Sequence, residues 1–326
     1  MRYAIADCVT VITGASTGIG RAAALEFARR GSAVVLVSRR AAVLERLAHE
    51  CERLGGRALP VAADVTDLRA MRSAARSAVD AFGRIDVWVN NAAVTLFGRL
   101  EDCPEDAYRR VIDTNFFGYV HGARAVLPYF RDRGRGTLIN ISSVVGKIGQ
   151  PYTSAYSASK FAIVGLSECL RLELADAPDI HVCTVLPASI DTPIFQHGAN
   201  YSGRAVKPME PVYSADQVAR AIVSLARHPR REVSVGAAGK VGLLAHAIAP
   251  ELVERIFPKR VEQDHFQERL AAPGAGNLFE PMAEYESVGG GWRSERQPRF
   301  PARAMLSAAA VLVGAGVWLL ARRGRR

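Results

Sequence analysis

The stretch Thr13-Gly14-Ala15-Ser16-Thr17-Gly18-Ile19-Gly20 constrains the fold of this chain more than any other. It follows a short apolar run rich in β-branched residues, Cys8 to Thr13, and opens a helical pattern that continues through Arg30. Strand, tight turn and helix in that order bring backbone amides to the positive end of a helix dipole, where a pyrophosphate is stabilised. Glycines let the backbone approach the phosphates closely. The spacing Gly14-x3-Gly18-x-Gly20 is not the GxGxxG form, and the flanking strand and helix give it its weight.

The alternation continues along the chain. Ala33 to Ser38 reads as a second strand, apolar as a strand covered on both faces must be. Further strands are expected at Ala58 to Ala63, Ile85 to Asn90, Gly136 to Ser142, Ile180 to Leu186 and Glu232 to Val235. Helical patterns separate them, including Ser154 to Ala175 and Ser214 to Arg227. Such alternation implies an α/β chain with a doubly wound, Rossmann-type parallel sheet.

Tyr156 and Lys160 stand at i and i+4 near the start of the helix at Ser154, so they share one helical face. A free phenol titrates near 10, so Tyr156 needs a neighbouring cation to act as an acid-base at neutral pH. Lys160 is that candidate. Each unit of lowering requires about 1.4 kcal/mol, which a desolvated ammonium a few ångströms away can supply. Ser143 follows the apolar run Thr137-Leu138-Ile139-Asn140-Ile141 and offers a hydroxyl to a substrate oxygen. A Tyr and a Lys at this spacing are usually only a surface pair with a snorkelling lysine. Here, however, the chain has five lysines beside 37 arginines, so a lysine at this place is less easily background.

The glycine-rich turn, Asn90-Asn91-Ala92-Ala93 and Tyr156-x3-Lys160, in this order and spacing, resemble the short-chain dehydrogenase/reductase family over roughly residues 7–236. The resemblance implies one domain with about seven strands. It implies that Thr13, Gly14, Ser16, Thr17, Gly18, Ile19 and Gly20 hold the phosphates of a nicotinamide dinucleotide, and that Asp64 and Val65 meet its adenine. As a plainer alternative, Asp64 simply begins a turn. Asn91, Ala92, Pro187 and Thr192 would lie along the cofactor, with the Thr192 hydroxyl near the nicotinamide amide. Asn90 would tie the central strands together.

Ser38 falls where NAD enzymes carry an acid for the ribose hydroxyl, and Arg39-Arg40 follow. Arginine suits a 2′-phosphate, so NADP (NADPH) is expected, recognised chiefly by Arg39 with Arg40 assisting. The implied catalytic set is Tyr156 as acid-base, Lys160 to lower its pKa and contact the ribose, Ser143 to orient the substrate oxygen, and Asn115 to hold a water relay. Tyr156 and Lys160 thus serve catalysis and cofactor binding together. Ala93 and Ala188 stand where family members usually have glycine, and Ala188 is expected to crowd the cofactor side. No metal is needed, and no residues have zinc-ligand spacing.

The function implied is an NADP(H)-dependent interconversion of carbonyl and alcohol. The competing class is a membrane-attached scaffold that binds dinucleotide without turnover, and the complete tetrad argues against it. Pro193 to Tyr213, with Phe195, His197, Tyr201 and Met209, is the natural substrate lid, and His197 reads as a loop residue there. The aromatic lid and apolar tail favour a hydrophobic alcohol or ketone over a sugar. Homo-oligomerisation is left open.

Net charge is +10, yet residues 292–326 carry +7 of it, so the main domain presents no nucleic-acid face. Cys8, Cys51, Cys103, Cys169 and Cys183 have neither disulfide-framework nor zinc spacing and read as reduced packing residues. The N-terminus runs within a few residues into a strand, and no secretory signal is expected.

The expected organisation is a catalytic domain over 1–240 whose core is complete by 236, a helical extension over 241–270 broken by Pro250 and Pro258, and a Pro-, Gly- and Arg-rich linker over 271–304. Met305 to Ala321 then contains no charge and is expected to be a single transmembrane anchor, about 25 Å long as a helix, followed by the basic tail 322–326. Arg299, Arg303, Trp318 and the arginines from Arg322 supply interfacial anchors. Membrane localisation with the catalytic domain on the cytoplasmic side is the corresponding expectation.

Overall fold

The structure is a computed structural model and describes residues 4–293. Seven parallel strands form its sheet: β1 (Val9–Thr13), β2 (Ala33–Ser38), β3 (Arg57–Ala62), β4 (Val87–Asn90), β5 (Gly136–Ile141), β6 (Ile180–Pro187) and β7 (Glu232–Val235). Their order across the sheet is β7-β6-β5-β4-β1-β2-β3, with every pairing parallel. Helices α1 (Gly18–Ala28), α2 (Ala41–Arg53) and α7 (Ala215–Arg227) cover one face through Phe27, Leu44, Leu47 and Ile222. On the other face α3 (Leu68–Phe82), α5 (Gly118–Arg133) and α6 (Ser154–Glu173) bury Met71, Phe130 and Leu170. Both faces being covered, β1, β2 and β5 are buried at every position, which is why their sequences are continuously apolar or small.

The strand order turns back between β1 and β4, so the connections leaving their C-terminal ends run to opposite faces of the sheet and leave a crevice. The opposite edge is closed by Asp86. Its fully buried carboxylate accepts from the Val9 amide (2.9 Å), Arg84 Nε (3.0 Å) and Arg133 Nη1 (2.9 Å). Within the sheet, Asn90 donates to Asn140 Oδ1 (3.0 Å) and to the Tyr119 carbonyl (3.1 Å), and accepts from Trp88 Nε1 (2.8 Å). These bonds join neighbouring strands and a covering helix.

Beyond β7 the structure departs from the sequence expectation. The helical pattern is interrupted at Pro250 as expected, α8 (Ala237–Ile248) ending before it and Pro250 occupying the first turn of α9 (Pro250–Asp264), where its missing N–H costs nothing, but Pro258, expected as a second break, lies inside α9. Strand Phe266–Leu270 then pairs antiparallel with Arg204–Val206. The core is not complete at 236, because Val261, Phe266 and Leu278 are buried. Residues 271–293, expected to be linker, instead pack along the rim of the crevice. Proline and glycine content signalled the absence of regular structure there and carried no information about packing.

Among the described residues no helix is long and apolar enough to cross a membrane. Met305 to Ala321, like the rest of 294–326, lies outside the described residues.

Candidate active site

The crevice holds a cavity of about 410 Å³ that runs from the end of β2 and β3, past the glycine-rich turn, to the start of α6. Gly14 and Gly18 adopt φ of +65° and +56°, a region costly for other residues. Gly20 is dictated by space, since a Cβ there would press on the Gly14 carbonyl and come within 2.6 Å of Asn91 Nδ2. Asn91 Nδ2 donates to the Thr13 carbonyl (2.9 Å), and Thr13 Oγ1 accepts from the amides of Asn91 (3.0 Å) and Ala92 (3.2 Å). Thr13 and Gly20 thus stand behind the wall, while Gly14, Ser16, Thr17, Gly18 and Ile19 form it.

At one end α6 brings Tyr156 and Lys160 to the cavity one turn apart, and the chain leaving β5 brings Ser143 against them. The Ser143 hydroxyl donates to the Pro187 carbonyl (3.4 Å), accepts from the Val145 amide (3.3 Å), and acts to lower the Tyr156 pKa. Lys160 is 1% exposed, donates from Nζ to the Ile141 carbonyl (2.9 Å), and lies 5.3 Å from the centroids of both the Tyr156 and Tyr119 rings. Burial drives the Tyr156 pKa upward despite the opposing effect of Ser143, and brings Lys160 down to about 7. Tyr156 is therefore held as a neutral phenol, a proton donor, beside a lysine whose charge changes near neutrality. This differs from the expected tyrosine of lowered pKa: desolvation by burial outweighs the lowering contribution of Ser143.

Asn115 sits in a π-helical turn, Asp113–Phe117, and does not line the cavity. Its carboxamide clasps Val94 from both sides, accepting from the amide (2.8 Å) and donating to the carbonyl (2.9 Å), and donates to Ser159 Oγ (3.1 Å). Ala188 lines the cavity, and its Cβ is close to Gly236 and Gly239, where an added Cβ would meet it.

The other end is where the structure differs most from the sequence reading. Arg39, expected to face a phosphate, donates from both terminal nitrogens to the carbonyls of Asn277 (2.7 Å), Leu278 (3.2 Å) and Phe279 (2.8 Å). Arg40 Nη2 donates to the Ala283 carbonyl (2.8 Å), and the Ser38 hydroxyl accepts from the Arg40 amide (3.2 Å). Asp64 accepts from the Thr66 amide (3.0 Å) and from Arg110 Nη2 (2.6 Å), so it does build a turn. Burial alone would raise its pKa, but the Thr66 and Arg110 bonds prevail and lower it. It still lines the cavity beside Val65.

Thr192 and Pro187 line the cavity, as do Asn91 and Ala92. The segment expected as a lid contributes Phe195, Met209 and His197 to the cavity wall, and His197 Nε2 pairs with the Glu284 carbonyl (3.2 Å). Phe257, His265 and Asn277 also line the cavity and were not foreseen. His265 packs edge-on against Phe97 and Phe195, pairs through Nδ1 with the Lys207 carbonyl, and is brought by burial to about 4. No local spacing marks these three residues, which reach the site from elements following the last sheet strand.

The side chains fit a nicotinamide dinucleotide. Arg40 Nη1, Thr114 Oγ1 and Asn277 Oδ1 are buried without a hydrogen-bond partner, in residues that line the cavity. Such atoms cost about 1–3 kcal/mol each when left unpaired, and a dinucleotide carries donors and acceptors to pair them.

The short chain dehydrogenase family model matches residues 8–200. The uncharacterized oxidoreductase YxnA of Bacillus subtilis is 34% identical over 98% of this chain and 92% of its own length. The 11-beta-hydroxysteroid dehydrogenase A of Sesamum indicum is 34% identical over 78% of this chain and 75% of its own. Among solved structures, an alcohol dehydrogenase from the archaeon Thermococcus sibiricus, complexed with 5-hydroxy-NADP, superposes with a TM-score of 0.60 at 29% identity, covering 70% of this chain and 94% of that one. The chain belongs to the short-chain dehydrogenase/reductase family, a family of oxidoreductases with a nicotinamide dinucleotide site.

Proposed function

We propose that the protein is an NADP(H)-dependent oxidoreductase that interconverts a hydrophobic ketone or aldehyde and its alcohol. The observation that carries this reading is Tyr156 beside the buried Lys160, sharing with Ser143 one end of a cavity whose other end holds two arginines. When bound, NADPH supplies the hydride. Ser143 and Tyr156 hold the substrate oxygen, and in the reductive direction the Tyr156 hydroxyl gives it a proton. Charged Lys160 stabilises the phenolate left behind, and its burial magnifies that effect. Since the Asn115 carboxamide is committed to Val94, the relay assigned to Asn115 would use its main chain within the π turn.

The hydrophobic substrate is supported by the walls around Tyr156: Val144, Phe195, Met209, Ala238 and Phe257. His265 stays neutral there, adding an aromatic surface and no charge. A panel of ketones and alcohols, followed by NADPH absorbance, tests the reading; no turnover of any carbonyl by a protein that binds NADPH would refute it. From its sequence alone, Met305 to Ala321 is proposed to attach the enzyme to a membrane. Full-length protein should then resist alkaline carbonate extraction, while a chain ending at Arg293 should stay in the supernatant.

A further inference from the structure

One imidazole stands in the apolar wall of the cavity, and hydrogen bonds and aromatic rings fix its orientation. His265 follows α9 directly, and its amide donates to the Val261 carbonyl (2.9 Å), which closes that helix. Its carbonyl accepts from the Lys207 amide (2.9 Å), while ring Nδ1 pairs with the Lys207 carbonyl. The ring lies edge-on to Phe97 and Phe195, with centroids 5.3 and 5.8 Å away, and is tilted against Phe266 at 5.9 Å. Main chain on one side and three aromatic rings around it hold the imidazole in one orientation.

The Lys207 bond also decides which nitrogen carries the proton. A carbonyl oxygen only accepts, so Nδ1 is the donor, and burial, which brings the ring to about 4, keeps it neutral. Nε2 is then a bare acceptor. Among the described residues it has no hydrogen-bond partner, yet it is not one of the side-chain atoms sealed from solvent without a partner. His265 is 4% exposed and lines the cavity, so the surface left to Nε2 is the cavity's. The side chains of Phe97, Phe195, Met209 and Phe257, which share that wall, offer no donor. An acceptor fixed in an apolar wall selects for a group that donates without bringing charge. A hydroxyl satisfies it, whereas an ether oxygen meets its lone pair with another, and an ammonium has to give up its hydration.

We propose that His265 is a specificity-determining residue whose Nε2 accepts a hydrogen bond from a substrate hydroxyl other than the oxygen that reacts, so that the preferred substrates are hydrophobic hydroxyketones and the corresponding diols. The inference rests on the proposed carbonyl–alcohol reaction and deepens it. Ser143 and Tyr156 take the reacting oxygen, His265 takes the second one, and the carbon frame between them fills the apolar walls.

The test compares 4-phenylcyclohexanone with its analogues hydroxylated at the ortho, meta or para position of the phenyl ring and with the matching methyl ethers, using the full chain and NADPH. The three positions set the hydroxyl at different distances from the ketone. In the native protein at least one hydroxylated ketone should exceed the parent in kcat/KM about tenfold, as a hydrogen bond to an otherwise unpaired buried acceptor does, and its methyl ether should not. In His265→Phe that ratio should fall to about one. Should the variant fail to fold, the native protein still decides, since the ether lacks the donor. A preference shared by the ether, retained in His265→Phe, or absent from all three hydroxylated ketones would overturn the assignment. A second measurement needs no turnover: the ¹⁵N spectrum of the native protein should show His265 protonated at Nδ1 and not at Nε2, with the Nε2 resonance moved by a hydroxylated ketone and not by its ether. A proton on Nε2, or a resonance that none of the hydroxylated ketones moves, would overturn the proposal by itself. If none of the ketones were reduced, the proposed reaction would fail, and the nitrogen spectrum would still judge His265.

Discussion

The two ends of the cavity are built in opposite ways. At the catalytic end, Ser143, Tyr156 and Lys160 come from one continuous stretch, β5 to α6, and their chemistry follows from burial: a phenol held neutral and a lysine brought to about 7. At the other end, the arginines after β2 meet residues 277–286, and their hydrogen bonds go largely to main-chain carbonyls. One end depends on the identity of a few side chains, the other on where a distant segment is held. Substitutions at the first should change rates, and at the second affinities.

Tyr156→Phe should divide the ends most sharply. It removes the proton donor and keeps the ring, so turnover should fall on the order of 10²- to 10⁴-fold. NADPH affinity, measured by fluorescence titration, should stay within about twofold, being governed mainly by contacts elsewhere in the cavity. Near-native turnover in this variant would leave the catalytic end without its acid.

The next effect is on pH. Lys160, buried and brought to about 7, is charged below that value and neutral above it. Its charge supports the phenolate formed during reduction, so kcat/KM for reduction should decline as pH rises through about 7, approaching tenfold per unit. In Lys160→Met that limb should vanish and the rate should be low throughout. A limb surviving in Lys160→Met would assign the ionisation to another group.

What was legible in the sequence tracks this same division. The central strands could be read because they are buried on both faces and are therefore largely apolar: Ala33 to Ser38 has the bounds expected, as does the partly exposed edge strand Glu232 to Val235. Tyr156, Lys160 and Ser143 could be placed together because one helix turn and one strand end set their spacing. Arg39 was read as a phosphate ligand because only its nearest neighbours in sequence were visible. Its partners at Asn277, Leu278 and Phe279 lie in a stretch without periodicity, whose packing depends on main-chain carbonyls that any sequence possesses.

A smaller effect on rate, coupled to stability, is expected at Asn115. Asn115→Ala leaves the Val94 amide and carbonyl without their partners in the interior, a loss of about 1–3 kcal/mol for a buried polar group. The thermal midpoint should drop by several degrees, while turnover at a temperature where the variant remains folded should fall less than in Tyr156→Phe. A catalytic collapse without loss of stability would instead place the carboxamide itself in the proton path.

The smallest effect on turnover is expected at His265, the ionisable side chain in the apolar wall. Burial brings it to about 4, so it is neutral wherever the enzyme works. His265→Phe should therefore leave kcat and its pH profile within about twofold, with any change falling on KM as the wall is reshaped. Its acid stability should shift more. Because the folded-state pKa lies below the ordinary value of 6.5, the unfolded chain binds the proton more readily between those values, and the native protein loses stability as pH falls from 6.5 to about 4. The slope is roughly 1.4 kcal/mol per unit within that window. In His265→Phe this contribution is absent, and denaturant titrations across the window should show a correspondingly shallower decline; an unchanged decline would mean that His265 is already charged in the folded protein.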